Sequence, residues 1–78
     1  MARLRLFAAA REAAGTGRDV IEGTTVADVL SSAVTRYGST FAALLPTCRI
    51  WVNGEPAEGG TTVAETDEVA VLPPVSGG

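Results

Sequence analysis

Residues 2–8 alternate, with Ala2, Leu4, Leu6 and Ala8 on one side and Arg3, Arg5 and Phe7 on the other. A period of two predicts a β-strand with Leu4 and Leu6 in the core and the two arginines and Phe7 on the opposite face. Ala9 to Ala14 is alanine-rich and predicts a short helical turn. Gly15 ends that turn, and Gly17 is a second breaker. Arg18-Asp19-Val20-Ile21-Glu22 predicts a second short strand, closed by Gly23. From Thr25 the period lengthens. Val26, Val29, Leu30, Ala33, Val34 and Tyr37 fall on one stripe of an amphipathic helix. Thr25-Val26-Ala27-Asp28 reads as a capping box, with the hydroxyl at the N-cap and the carboxylate near N3. Gly38 is the expected C-cap, and Phe41 to Leu45 predicts a short apolar turn ended by Pro46.

Arg49-Ile50-Trp51-Val52 predicts a strand with Ile50 and Val52 on one face, which leaves Trp51 on the other with Phe7. Asn53-Gly54 signals a type I′ hairpin, and Glu55-Pro56-Ala57 returns as an edge strand because Pro56 cannot donate to a ladder. Gly59-Gly60 is a turn. Glu68 to Leu72 is the last strand, stopped by Pro73-Pro74. The order β-β-α-β-(short β)-β places one main helix on one face of a mixed sheet of four to five strands, with the first two strands as a hairpin and the last beside the first. That is an α+β, β-grasp (ubiquitin-like) arrangement. It divides the chain into a domain of residues 1–74 and a tail of residues 75–78.

Seventy-eight residues suffice for one domain, and an apolar fraction of 46% fits a folded one. No run approaches the ~18 apolar residues of a membrane span. The alternating N-terminus is unlike a signal peptide, and a single cysteine, Cys48, fits a reducing compartment; the expectation is the cytoplasm. Net charge is −3, with no histidine and no lysine; the basic residues are Arg3, Arg5, Arg11, Arg18, Arg36 and Arg49. The acidic balance argues against nucleic acid and predicts partners with basic docking surfaces. Without lysine no side-chain amine can accept an acyl group, so the chain can donate an acyl end but not receive one on a side chain. Cys48 has no histidine to activate it and reads as an idle thiol. Arg11-Glu12 reads as a solvated pair. Glu65 and Asp67-Glu68 read either as solvated turn residues or as an acidic docking patch. No metal-ligand spacing and no phosphate-binding glycine loop is present.

The chemistry concentrates in Val75-Ser76-Gly77-Gly78. Glycine has no Cβ, so a Gly-Gly end can lie extended in a narrow channel of another protein and expose its carboxylate there. Pro73-Pro74 reads either as simple strand termination or as a stiff spacer that projects the tail, and both readings can hold. Two segments carry a family resemblance. Phe7-Ala8-Ala9-Ala10-Arg11-Glu12-Ala13-Ala14-Gly15 and Asp67-Glu68-Val69-Ala70-Val71-Leu72-Pro73-Pro74-Val75-Ser76-Gly77-Gly78, together with the Val52-Asn53 turn, resemble the MoaD/ThiS family of sulfur carriers, and most of all its MoaD branch, the small subunits of molybdopterin synthase. One departure is Val71, where some relatives carry an aromatic; valine there would weaken a partner contact.

The resemblance implies a chain that is not catalytic alone and binds no cofactor. A MoeB-like adenylating enzyme would use ATP to convert the Gly78 carboxylate to an acyl-adenylate, and a sulfur donor would then leave a thiocarboxylate. The tail would enter a MoaE-like large subunit, in a heterotetramer, and pass its sulfur to cyclic pyranopterin monophosphate. Gly78 and Gly77 are then the reactive residues. Phe7, Trp51, Leu72, Pro73, Pro74, Val75 and Ser76 are the expected partner contacts. The alternatives are sulfur delivery for thiamine or cysteine synthesis, a ubiquitin-like protein modifier, and a plain interaction domain with an incidental Gly-Gly.

Overall fold

The structure, a computed structural model, describes residues 1–74. In chain order it contains β1 (Ala2–Leu6), α1 (Ala8–Ala14), β2 (Arg18–Ile21), α2 (Val26–Tyr37), α3 (Ser39–Leu44), a 3₁₀ turn (Leu45–Thr47), β3 (Arg49–Val52), β4 (Glu55–Pro56) and β5 (Glu68–Leu72). The five strands form one mixed sheet in the order β2-β1-β5-β3-β4. β1 pairs antiparallel with β2 and parallel with β5; β5 pairs antiparallel with β3, and β3 with β4. A parallel β1–β5 pair at the centre, joined by a crossover that contains the main helix, is the β-grasp arrangement.

Strand parity sorts the side chains into two faces. Ala2, Leu4 and Leu6 of β1, Ile21 of β2, and Val69 and Val71 of β5 point to the helical side, and each is at most 2% exposed. Val26, Val29 and Ala33 of α2 close over them and are buried to the same degree. Each of the Leu, Ile and Val side chains among them contributes roughly 1.5–3 kcal/mol when fully buried. Phe41 is the largest fully buried side chain, and its ring meets Tyr37 edge-on at 5.1 Å between centroids. The segment expected to be an apolar turn at Phe41 to Leu45 is instead α3, continued by the 3₁₀ turn. Gly38, with φ +94°, redirects the chain so that α3 starts immediately after α2 and drives Phe41 into the core.

β1 is shorter than the alternation predicts. Ala8 leaves the strand with φ +48°, is exposed, and opens α1. The carbonyl of Phe7 accepts from the N–H groups of Ala10 and Arg11, so the run of alanines closes a helical turn, and Ala10 takes the buried place. β1 and β2 are therefore joined through α1 and not by a tight turn. Gly15, with φ +79°, caps α1 by donating to the Arg11 carbonyl.

The N-terminus of α2 departs in one detail from the expected capping box. Thr25 Oγ1 accepts from the Asp28 N–H at 3.2 Å, but Asp28 reaches past Thr25 to Thr24, accepting from its hydroxyl at 3.1 Å and its N–H at 3.4 Å. These bonds hold the Asp28 carboxyl below the usual carboxylate range. The other end of α2 is tied to the edge strand β2. Tyr37 donates to Asp19 Oδ2 at 2.5 Å, and Arg36 lies 2.9 Å from the same oxygen. Arg36 also donates to the Val20 carbonyl, while the Val20 N–H donates to Asp19 Oδ1. The outward backbone groups of Val20 are thus occupied, which closes the middle of that edge to an added strand.

The Asn53-Gly54 hairpin has φ of +50° and +83°, the two positive values a type I′ turn requires. The Asn53 side chain donates to Asp67 Oδ1 and accepts from the Glu68 N–H, both at 2.9 Å, and its own N–H donates to the Glu68 carbonyl. One asparagine thereby anchors the hairpin to the start of β5.

Candidate functional site

The face of the sheet without helices carries the other parity of each strand. From the β2 edge inward it presents Arg18 and Val20, then Arg3 and Arg5, then Glu68, Ala70 and Leu72, then Arg49 and Trp51, with Pro56 on β4. Arg5 faces Arg18 on one side and Ala70 on the other, and Ala70 faces Trp51. Leu72 lies opposite Arg49 at the end of β5, the strand that leads to the Gly-Gly end.

Phe7 continues the β1 alternation, since its φ of −120° and ψ of 152° are still extended, and its N–H donates to the Val71 carbonyl. That contact sets Phe7 beside Leu72. Phe7 is 37% exposed, and Trp51 and Leu72 are half-buried. Three of the residues expected to contact a partner therefore lie on one face, Phe7 and Leu72 at the C-terminal end of β5 and Trp51 opposite its middle residue, Ala70. Pro73 is half-buried and Pro74 exposed, both directly after the strand. Val75, Ser76, Gly77 and Gly78 lie outside the described residues.

Val71 corrects one expectation. It pairs with Leu6 and Ile50 and is fully buried on the helical side. Its side chain is a core contact and cannot weaken a partner contact in the folded domain.

The charge is divided unevenly over the surface. The chain is acidic overall, yet the open face holds Arg3, Arg5, Arg18 and Arg49 against the single carboxylate Glu68, a formal +3. The remainder, with Arg11 and Arg36 against eight carboxylates, carries −6. Summing charge over the sequence hides this division, but strand parity exposes it: Arg3, Arg5, Arg18 and Arg49 all share the parity of the open face. They are the residues that a search for aromatics and glycines passes over. Arg5 lies 3.9 Å from Glu68 and sits over the Phe7 ring at 5.2 Å from its centroid. Among the described residues, Arg3, Arg18 and Arg49 have no carboxylate within 4 Å.

The acidic residues ahead of the tail are engaged structurally. Asp67 accepts from the Ala64 N–H at 2.7 Å and from Asn53, and these bonds, the first above all, hold its carboxyl below the usual range. Glu65 lies 3.8 Å from the N-terminal ammonium. Cys48 is half-buried, its thiol 3.4 Å from the Leu44 carbonyl, and burial pushes its pKa up, away from a reactive thiolate. Among the described residues no group of three His, Cys, Asp or Glu side chains could hold a metal ion, and no helix is long and apolar enough to cross a membrane.

The described residues present an open sheet face at the end of β5, and among them there is no constellation of acid, base and nucleophile. Comparison with known proteins agrees on the family. The sequence model of the ThiS family matches residues 4–78. Small archaeal modifier protein 1 from Methanosarcina acetivorans is 33% identical, with a TM-score of 0.85 over 99% of this chain and 95% of that one. Small archaeal modifier protein 1 from Haloferax volcanii is 32% identical, with a TM-score of 0.81 over 97% of each chain. A Pyrococcus furiosus protein provisionally assigned as molybdopterin converting factor, subunit 1, is 25% identical, with a TM-score of 0.79 over 95% of this chain and 97% of that one. No curated protein sequence matches the chain. The chain belongs to the ThiS family, whose members are ubiquitin-like sulfur carriers and modifiers.

Proposed function

We propose that this ThiS-family chain is a sulfur carrier whose Gly78 carboxylate is activated and charged with sulfur, and that it serves as the small subunit of molybdopterin synthase. The observation that carries the reading is that the family match runs through Gly77-Gly78, on a chain without histidine or lysine. A carboxylate is a poor acyl donor until its oxygen becomes a leaving group. Attack of the Gly78 carboxylate on the α-phosphate of ATP, in an adenylating partner, forms an acyl-adenylate and releases pyrophosphate. A hydrosulfide-class donor then adds to the carbonyl carbon and expels AMP, leaving the thiocarboxylate. That sulfur is the nucleophile the carrier brings to its acceptor, which we take to be cyclic pyranopterin monophosphate held by a large subunit. Two such transfers supply the two sulfurs of a dithiolene. The partner contributes the acid and base groups, which a chain without histidine or lysine lacks.

The open face supports the same reading. Phe7, Trp51 and Leu72 form an apolar group where β5 delivers the chain to Pro73-Pro74, so a partner that covers them also receives the residues that follow. Incubating the protein with an adenylating enzyme, ATP and sulfide, then weighing it by mass spectrometry, tests the activation step. The expected product has one oxygen exchanged for sulfur at the C-terminus, and removal of Gly78 abolishes it. A chain that gains no sulfur while a control carrier does overturns the proposal.

A second reading, a protein modifier, is favoured by the identity of 32–33% to the small archaeal modifier proteins. It uses the same adenylate but transfers Gly78 to a lysine amine of a target. Since this chain has no lysine, it could not extend itself through side-chain isopeptide bonds. Gly78 found on target lysines by mass spectrometry would favour this reading over sulfur transfer.

A further inference from the structure

The β1–β2 half of the open face is distinct from the Phe7–Trp51–Leu72 group. Arg3, Arg5, Arg18, Val20 and Glu68 line a shallow groove of about 550 Å³ there. Val20 is 49% exposed at its rim. Arg3 and Arg18 have no acidic partner within 4 Å among the described residues, and Arg5 has only the long contact to Glu68. The Asp19 carboxylate, although its residue borders the groove, is taken by Tyr37 and Arg36 and does not neutralise it. An acidic protein thus carries four of its six arginines on one face, and three of the four have no carboxylate within 4 Å among the described residues.

We propose that this groove docks an acidic segment of a protein partner, with carboxylates seated on Arg3 and Arg18 and an apolar side chain against Val20. This deepens the proposed function, and rests on it for the partner being a protein that handles the tail. It reverses the expectation drawn from net charge, since the chain approaches a partner's carboxylates with its +3 face and turns its −6 surface away. Charge divided in this way orients the encounter before contact, which raises association rates and fixes register. Arginine interleaved with apolar side chains is the composition of protein interfaces. The partner lies on the face and does not add a strand in the middle of the edge, because Val20's outward N–H and carbonyl are occupied by Asp19 and Arg36.

The test is an amide NMR titration of the full 78-residue chain with three probes. These are a short peptide in which Asp and Glu flank a Leu-Phe pair, its Lys/Arg counterpart, and a single-stranded oligonucleotide of the same charge as the acidic peptide. Expected are shifts at Arg3, Arg5, Arg18 and Val20 with the acidic peptide alone, weakening at least about tenfold in Arg3→Glu/Arg18→Glu. The milder Arg3→Gln/Arg18→Gln should weaken binding in the same direction, and the same spectra report whether either variant is folded. No shift at these amides, equal shifts with the basic peptide, or unchanged affinity in folded variants overturns the proposal. Tighter binding of the oligonucleotide overturns it in favour of a nucleic acid. The readout is independent of Gly78, so removing residues 75–78 leaves it unchanged. Failure of the sulfur chemistry and failure of this docking surface are therefore separately visible.

Discussion

The guanidinium of Arg5 lies over the Phe7 ring, 5.2 Å from its centroid, and this pair joins the two halves of the open face. On one side of it are the apolar residues at the end of β5, Leu72 and Trp51. On the other are the unpaired arginines Arg3 and Arg18. A partner that covers the whole face meets an apolar area next to the tail and a cationic area away from it.

Leu72 sits where that apolar area meets the exit of the chain. Leu72→Asp places a carboxylate among Phe7, Trp51 and the incoming partner surface. Affinity for a large subunit, measured by calorimetry, should fall at least about tenfold, while the thermal midpoint changes little because Leu72 is only half-buried. Unchanged affinity would remove Leu72 from the interface.

Gly23 has a role that its place after a strand does not reveal. Its φ is +153°, and a Cβ there would stand 2.6 Å from the Val29 nitrogen and 2.8 Å from Val29 Cγ2. Gly23→Ala must push β2 away from α2, at a cost of about 2 kcal/mol or more. For a domain of this size that lowers the thermal midpoint by about 10 °C.

Asn53 combines a left-handed backbone with two side-chain bonds to the start of β5. Asn53→Ala loses both and keeps the unfavourable φ, so chemical denaturation should show a loss of roughly 1–3 kcal/mol. Asn53→Gly relieves the backbone but not the lost bonds, and should fall between the two. Equal stability of all three would deny Asn53 its anchoring role.

Among the described residues, three carboxyls titrate below their ordinary value: Asp19, chiefly through the Tyr37 hydroxyl, Asp28 through Thr24, and Asp67 through the Ala64 N–H. A carboxyl depressed in the folded state stabilises it above the unfolded pKa of about 3.9, and that stability disappears as pH falls through the lower folded value. The thermal midpoint should therefore hold down to about pH 4 and drop below it, with a shallower drop in Asp67→Asn. Tyr37 titrates above its ordinary value, first through burial and then through its bond to Asp19. Its contribution is complete below about pH 10 and is lost as pH rises toward the raised value. Tyr37→Phe should flatten that alkaline limb.

The elements with two or more full periods were legible in the sequence. The β5 strand from Glu68 to Leu72 and the stripe from Val26 to Tyr37 occupy their expected residues. The hairpin was legible because Asn-Gly satisfies a backbone demand that few pairs meet. α3 was not, because six residues complete too few turns to display a period, and Phe41 therefore hid its place as the largest core side chain. Ala8 was misplaced because alanine suits strand parity and helix start alike. Phe7 and Trp51 could be placed on one face by parity alone, whereas Leu72 came from the family resemblance and its face only from the β5 register. The cationic groove needed strand order as well, since the β1–β2 register is what sets Arg18 opposite Arg5 and Val20 opposite Arg3.

The central claim is that sulfur leaves from Gly78 to a pterin. The most direct test mixes protein bearing a Gly78 thiocarboxylate with a molybdopterin synthase large subunit and cyclic pyranopterin monophosphate, and assays for dithiolene-bearing pterin. Product from the thiocarboxylate form and none from the carboxylate form is the predicted result. No product, with a control carrier active in the same mixture, would contradict it.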